Sequence, residues 1–299
     1  MPPRTTRPVR RTRAPREPTP IEQIAGELLP IPTVSYAEHG VLDYIRRFAE
    51  ERGLGFELDR FGNGYVRHSG RRRRGGGARP LVMGAHVDHP GFVVTEARGR
   101  RLQLDFRGGL PASYGRGERV RLFAAPFDEG ARDGGAATIR SVRADERGRL
   151  LSARATLEAG APPAAVGDLA LWDLEPARIR GRRLVARGCD DLAGCVAVLA
   201  ALDRAAATRA PGELVGLFTR AEEVGLRGAS AAARARLLPE NAVVLAIETS
   251  SSTGGRAKAG SGPIVRVGDA HVDAGERRSD RRQPVPEARM AGIGVGGAG

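Results

Sequence analysis

ELVGLFTRAEEVGLRGA, residues 213–229, runs a short apolar segment straight into two adjacent carboxylates and then into a glycine-punctuated helix start. Leu214, Val215, Leu217 and Phe218 suit a strand buried on both faces, and Glu222 and Glu223 follow where that strand ends. Neighbouring carboxylates repel, and near a core each costs desolvation unless a cation or hydrogen bonds compensate. A metal ion held by one acid, with the other handling protons, accounts for the pair. The bland alternative is a solvated helix N-terminus, where acids are common.

Three other segments favour the metal. LVMGAHVDH at 81–89 is a second apolar run, ending in His86-Val87-Asp88, and AVVLAIE at 242–248 is a third, ending in Glu248. Between them, GCDDLAGCVAVLAAL places Asp190 and Asp191 ahead of Leu192, Val196, Leu199 and Leu202, the start of an amphipathic helix. In an open α/β sheet, ligand groups collect beyond the carboxyl ends of the strands and at helix N-termini. All four segments therefore point to one edge of one sheet.

The chain has 299 residues, 41% hydrophobic and 28% charged, enough for a full core. No apolar run approaches membrane-spanning length, and Met1 is followed by Pro and Arg without the apolar core of a secretory signal, so a soluble cytoplasmic protein with no membrane partner is expected. Cys189 and Cys195 are too few for a disulfide framework, lack CxxC spacing and read as reduced thiols. The net charge of +13 is unevenly spread: residues 1–18, 67–79 and 277–282 carry +5, +6 and +3, and the remainder is near neutral. These segments are rich in Arg, Pro or Gly and read as tails and a loop, and aromatics for base stacking are scarce. A specific nucleic-acid partner is not expected.

Thr19-Pro20-Ile21-Glu22 is a capping box with Pro at the first helical position, and Ser35 with Glu38 reads as a second box, opening a helix with Val41, Ile45 and Phe48 on one face and Gly53 as its stop. GFELD and GYVRH around Gly62-Asn63-Gly64 read as a strand pair, and the Arg/Gly run 70–79 as a loop. From about 92 to 184 the texture changes to short β-like runs, FVVTEA, RLQLDF, RVRLF, ATIRSV, LLSARATL and DLALWDL, without a helix and with Trp172 as the expected core. This β module interrupts an α/β domain of residues 19–91 and 185–269, flanked by an Arg/Pro-rich tail at 1–18 and a tail at 270–299, both expected to be disordered. His39, His68 and His271 lack partners at metal-like spacing and read as surface residues.

The chain resembles the M42 family of metallo-aminopeptidases, which also contains proteins described as glutamyl aminopeptidases or endoglucanases. The resemblance spans residues 20–268 and rests on EEVGLRGA at 222–229, AHVDHPGF at 85–92, CDD at 189–191, the strand before Glu248, and GPIVRVGD at 262–269. It implies an α/β metallopeptidase sheet flanked by helices and interrupted by a small β-barrel-like insertion, a dinuclear zinc or cobalt site, a peptide substrate and a homo-oligomer. Carried over by position, Asp190 bridges both metals, His86 and Glu248 complete one, Glu223 binds the other, and Glu222 is the general base. Asp88 is implied as the catalytic-site group that hydrogen-bonds the His86 imidazole and fixes its tautomer.

Some positions depart from the family pattern. His89-Pro90 replaces the usual Glu-Ile after the HxD motif, Leu192 replaces an Arg that often follows the Asp pair, and Glu248 stands where Asp is common. The family continues to a further strand carrying a His ligand and a closing helix, whereas AHVDAGERRSDRRQPVPEARMAGIGVGGAG, residues 270–299, resembles a frame-shifted or truncated ending. The resemblance then implies an incomplete second metal site, with His271 a poor substitute, and apolar surface left open on the sheet and on the 190–207 helix. A catalytically impaired relative is the alternative to an active enzyme.

Overall fold

The computed structural model describes residues 17–71, 79–181, 183–250, 260 and 262–264. The first helix, α1 (Pro20–Leu28), opens as expected: the N–H and hydroxyl of Thr19 donate to the Glu22 carboxylate at 2.7 and 2.8 Å. The second, α2 (His39–Glu51), departs from the Ser35/Glu38 box, because Glu38 is itself the cap residue. Both side chains of that box are engaged at long range. Ser35 donates its hydroxyl to Asp88 at 2.6 Å, and buried Glu38 accepts from the Arg220 guanidinium at 2.7 and 2.9 Å and from the Ala221 amide at 3.1 Å. A buried carboxylate requires such compensation, and a local cap cannot supply it. Val41, Ile45 and Phe48 are buried as the periodicity predicts, and Gly53, at φ 63°, turns the chain out of the helix.

The strands β1 (Gly55–Leu58) and β2 (Gly64–Ser69) form the expected antiparallel pair. With β3 (Leu81–His86), β12 (Glu213–Thr219) and β13 (Val243–Ala246) they make one five-stranded sheet in the order β1-β2-β12-β3-β13. β12 and β13 both run parallel to β3. Thr219 is level with His86 and Ala246 with Gly84, so the strands deliver residues 86–88, 220–223 and 247–248 at the same carboxyl end. One face of the sheet carries α1, α2 and α3 (Cys189–Ala207), where Leu28, Ile45, Phe48, Leu199 and Phe218 share a core. The other face carries α4 (Arg227–Ala235), with Tyr65, Val82, Val215 and Ala232 in contact. Two covering layers explain why residues 214–218 read as a continuous apolar run.

Between β3 and α3 the chain builds a closed barrel from β4 (Gly91–Arg98), β5 (Arg101–Arg107), β6 (Arg119–Ala124), β7 (Arg132–Ala144), β8 (Leu150–Leu157) and β9 (Leu169–Trp172), in the order β4-β5-β8-β7-β6-β9. Alternate residues fill it: Phe92, Val94, Leu104, Val120, Leu122 and Ile139 are sealed from solvent. Trp172, expected at the centre, is half-buried instead. Its ring packs on Phe92 at 5.2 Å while its N–H donates to the Tyr114 carbonyl at 2.9 Å, a partner the apolar barrel interior does not offer. A hairpin of β10 (Ala177–Arg180) and β11 (Arg183–Ala186) leads back to α3.

Three further expectations meet the structure. His39 is exposed as read, but His68 is buried on β2, with Nε2 2.8 Å from the Ala210 carbonyl, so the surface reading fails there. The third apolar run is a strand, yet Val243, Val244 and Leu245 are 44%, 60% and 46% exposed, because β13 is the sheet's edge among the described residues. The 190–207 helix, expected to lie open, is covered: Leu192, Val196, Leu199 and Leu202 are all buried against the sheet and α1. Residues 1–16 and 72–78 and most of 251–299, including His271, lie outside the described residues. No helix among the described residues is long and apolar enough to cross a membrane.

Candidate metal centre

His86 ends β3 and is buried at the carboxyl edge of the sheet. Its Nδ1–H donates to the Asp88 main-chain carbonyl at 3.1 Å, with the Asp88 carboxylate at 3.5 Å. That leaves Nε2 pointing at the acids: 3.2 Å from Asp190, 3.8 Å from Glu248 and 3.9 Å from Glu222. With Nδ1 fixed as a donor, Nε2 is the nitrogen at which a cation could replace the proton, the arrangement of a metal-ligating histidine. The Asp88 carboxylate has a larger task than orienting the ring. It accepts the Ser35 hydroxyl at 2.6 Å and the backbone amides of Glu222 and Glu223 at 2.9 and 3.1 Å. These donors and His86 outweigh burial and hold its pKa below the usual carboxylate range, so Asp88 stays ionised and fixes the turn that carries both glutamates.

The remaining acids converge on the same ring. Two groups of possible ligand atoms lie within 4.8 Å of one another, His86 with Asp190 and Glu223, and His86 with Asp191 and Glu248. Asp190, expected to bridge, falls in the first group, and Glu248 of the second approaches the same His86 nitrogen. The sequence places Asp191 beside Asp190 at the helix start but, of the pair, assigns a metal to Asp190 alone. Asp191 is fully buried, it accepts only a long 3.4 Å contact from the His86 amide, and its Oδ1 has no hydrogen-bond partner among the described residues. The signal that could have found it was its adjacency to Asp190, but adjacency alone cannot say which of two acids is buried. Glu222 belongs to neither group.

The electrostatics are those of acids crowded together and partly buried. Burial pushes Asp191 up to about 8, with the negative charge of Glu248 adding to it; burial likewise raises Glu223 to about 8 and Glu248 to about 7. Burial works against the charged His86 ring, but bonds to Asp190 and Asp88 override it and raise the ring to about 11. Without a cation the cluster thus holds extra protons. An orphaned buried carboxylate oxygen, one imidazole and a set of carboxylates fit hard or borderline divalent ions well. The two thiols stand aside. Cys195 is buried and donates to the His86 carbonyl at 3.2 Å, and burial raises the Cys189 thiol.

Two close approaches protect this geometry. A Cβ on Gly228 would lie 2.2 Å from the Arg220 carbonyl and 2.5 Å from Asn63 Oδ1, so only glycine lets the turn fold back after Glu223. Asn63 accepts the Arg220 amide at 3.0 Å and donates to the Gly228 carbonyl at 2.9 Å, tying the ends of that turn together. A Cβ on Gly194 would meet the Asp191 carboxylate oxygens at 2.3 and 2.5 Å. Gly194→Ala is therefore expected to displace Asp191 and weaken metal affinity by about 10–100-fold, the range for disturbing a ligand's support. Metal titration of the purified variant checks this, and unchanged affinity would remove Asp191 from the ligand set.

Comparisons with known proteins bear on this arrangement. The model of the M42 glutamyl aminopeptidase family matches residues 150–277. A curated protein of Acetivibrio thermocellus, provisionally named an aminopeptidase, is 27% identical over 207 residues, which is 66% of this chain and 60% of that protein's length. Among solved structures, an aminopeptidase from the archaeon Desulfurococcus kamchatkensis superposes with a TM-score of 0.59 at 23% identity, covering 80% of this chain and 66% of its own. The TET1 peptidase of Pyrococcus horikoshii, which can assemble into a tetrahedron or a large octahedral shell, gives 0.58 at 22% identity, covering 80% and 73%. The structural likenesses concern the fold, and the sequence matches carry the motifs. The chain is thus similar to M42 glutamyl aminopeptidases in sequence over residues 150–277 and to aminopeptidases in fold.

Proposed function

We propose that this chain is a metal-dependent aminopeptidase that removes N-terminal residues from peptides, with two divalent cations, zinc or cobalt, held by His86, Asp190, Asp191, Glu223 and Glu248. The observation that carries this reading is the pair of overlapping ligand groups sharing His86, one of them containing a buried carboxylate oxygen without a partner among the described residues. When bound, such cations polarise a peptide carbonyl and acidify water. Glu222 stands at the rim of the cluster, 3.9 Å from His86 and outside both ligand groups. It takes the proton from the attacking water and returns it to the leaving amine. Asp88, through the Glu222 and Glu223 amides, keeps these two neighbours in their separate positions. The negative cluster also draws a protonated substrate amine, which favours cleavage at a free N-terminus.

The test is hydrolysis of a short peptide and its N-acetylated form with zinc or cobalt supplied. Release of the N-terminal residue from the free peptide alone is the expected result; equal cleavage of both would replace the exopeptidase reading with an endopeptidase one. A catalytically impaired relative is the second reading, favoured by the single imidazole among the described residues of the ligand groups. Two metal equivalents per chain support the enzyme, and one or none supports the impaired form. We also propose a homo-oligomer, which the exposed apolar residues of β13 at the sheet's edge among the described residues support, a cytoplasmic location, and the insertion at 92–184 and the α/β residues 19–91 and 185–269 as domains.

A further inference from the structure

The loop before α2 and the end of β5 carry two side chains that the chemistry above leaves unused. Tyr36 stands at φ 69°, in the left-handed region that strains any residue with a Cβ, and its ring is 51% exposed. Its surroundings impose this conformation. The Tyr36 amide donates to buried Glu38 at 2.8 Å, and Ser35 beside it is held to Asp88. An exposed aromatic gains little from burial to offset the strain. Arg107 faces it, with Cζ 5.8 Å from the ring centroid and Nη1 donating to the Ser35 carbonyl at 2.8 Å. The nearest carboxylate, Asp105, stands 3.8 Å from Nε, beyond hydrogen-bond reach, and among the described residues Nη2 has no acceptor. The pair is close to the chemistry: Ser35 bonds Asp88, which bonds the Glu222 and Glu223 amides, and Gly109, just past β5, has its Cβ position 4.0 Å from the Glu223 carbonyl.

We propose that Arg107 and Tyr36 form a carboxylate-binding wall at the mouth of the site, taking a carboxylate on the leaving side of the peptide, one or two residues beyond the bond cut. This rests on the aminopeptidase reading and narrows its substrates to short or acidic peptides. An extended residue spans roughly 3.3–3.6 Å, so a carboxylate in those positions lies a short step outward from the acids that receive the amine. The guanidinium supplies the forked donors, and the tyrosine ring holds its plane and screens one side from water. The carboxylate comes either from a free C-terminus or from an acidic side chain.

The experiment compares Ala-Ala, its C-terminal amide and Ala-Asp-amide as substrates. The native protein is expected to prefer a carboxylate-bearing peptide over the Ala-Ala amide by about tenfold in kcat/KM, the worth of one charge-assisted hydrogen bond. Arg107→Gln brings that ratio near one, and Tyr36→Gly lowers it part of the way. Preference for Ala-Ala assigns the wall to the terminus, and preference for Ala-Asp-amide assigns it to the side chain. The same ratio, read by calorimetric binding to the Glu222→Gln protein with zinc, gives the answer even without turnover. Turnover with no carboxylate preference, or a preference that survives Arg107→Gln, sinks the wall while leaving the aminopeptidase standing. Preference in binding with no turnover by the native chain does the reverse.

Discussion

Glu222→Gln is expected to lower kcat/KM by about 10²–10⁴-fold while leaving metal content within error of the native protein. The amide cannot take a proton from water, but it keeps the shape of the side chain. The backbone amide of residue 222, which donates to Asp88 at 2.9 Å, is untouched, so the turn and Glu223 remain in place. Glu223→Gln should behave differently, since Glu223 belongs with His86 and Asp190 in a ligand group: metal content and activity fall together. The two variants are compared by elemental analysis after dialysis and by initial rates on one peptide. Equal metal loss in both would falsify the division of labour, because it would make Glu222 a ligand as well.

The second large effect is on stability when metal is removed, and its sign follows from the cluster. Asp191 and Glu223 are raised by burial to about 8 and Glu248 to about 7, against ordinary carboxylate values in the unfolded chain. Groups with raised folded values contribute stability that is present below about pH 4 and is lost as pH rises through the folded pKa. The metal-free protein therefore becomes less stable between pH 5 and 8. Each extra proton held by the folded state is worth about 1.4 kcal/mol per pH unit, and one such proton moves Tm by about 2–4 °C per pH unit in a domain of this size. His86, raised to about 11, stays charged in the folded protein through this window while the unfolded imidazole loses its proton near 6.5, so it adds to the fall in stability above that pH. Cations compete with those protons, so zinc should raise Tm more at pH 8 than at pH 5. A chelated protein whose Tm is flat from pH 5 to 8 would show that the acids are not gathered as described.

Much of this was legible in order along the chain. The apolar runs ahead of His86 and Glu222 were readable because a strand between two covering layers leaves an unbroken signature, the run ahead of Glu248 was readable as a strand although it lies exposed at the edge, and the barrel strands were readable because alternation and turn residues repeat at short spacing. The Thr19 box was readable because capping is settled within four residues. The Ser35 box failed for the opposite reason: its partners, Asp88 and Arg220, lie 53 and 182 residues away, from Ser35 and Glu38 respectively, and long-range charge compensation overrode the local signal. His68 and Trp172 were misplaced because depth in a sheet or barrel depends on which neighbours arrive, and a single side chain does not encode that.

The sequence by itself determined the residue types, their order and the strand ends that carry them, since those follow from short-range periodicity and from the chemistry of adjacent acids. Only the tertiary structure decided that Asp191 is the buried acid with an oxygen unpartnered among the described residues, that Asp88 holds the glutamate amides as well as the histidine, and that Tyr36 is strained beneath Arg107. Each of those depends on distances between residues far apart in the chain. Burial and charge compensation are properties of the assembled neighbourhood, and no window of sequence contains it.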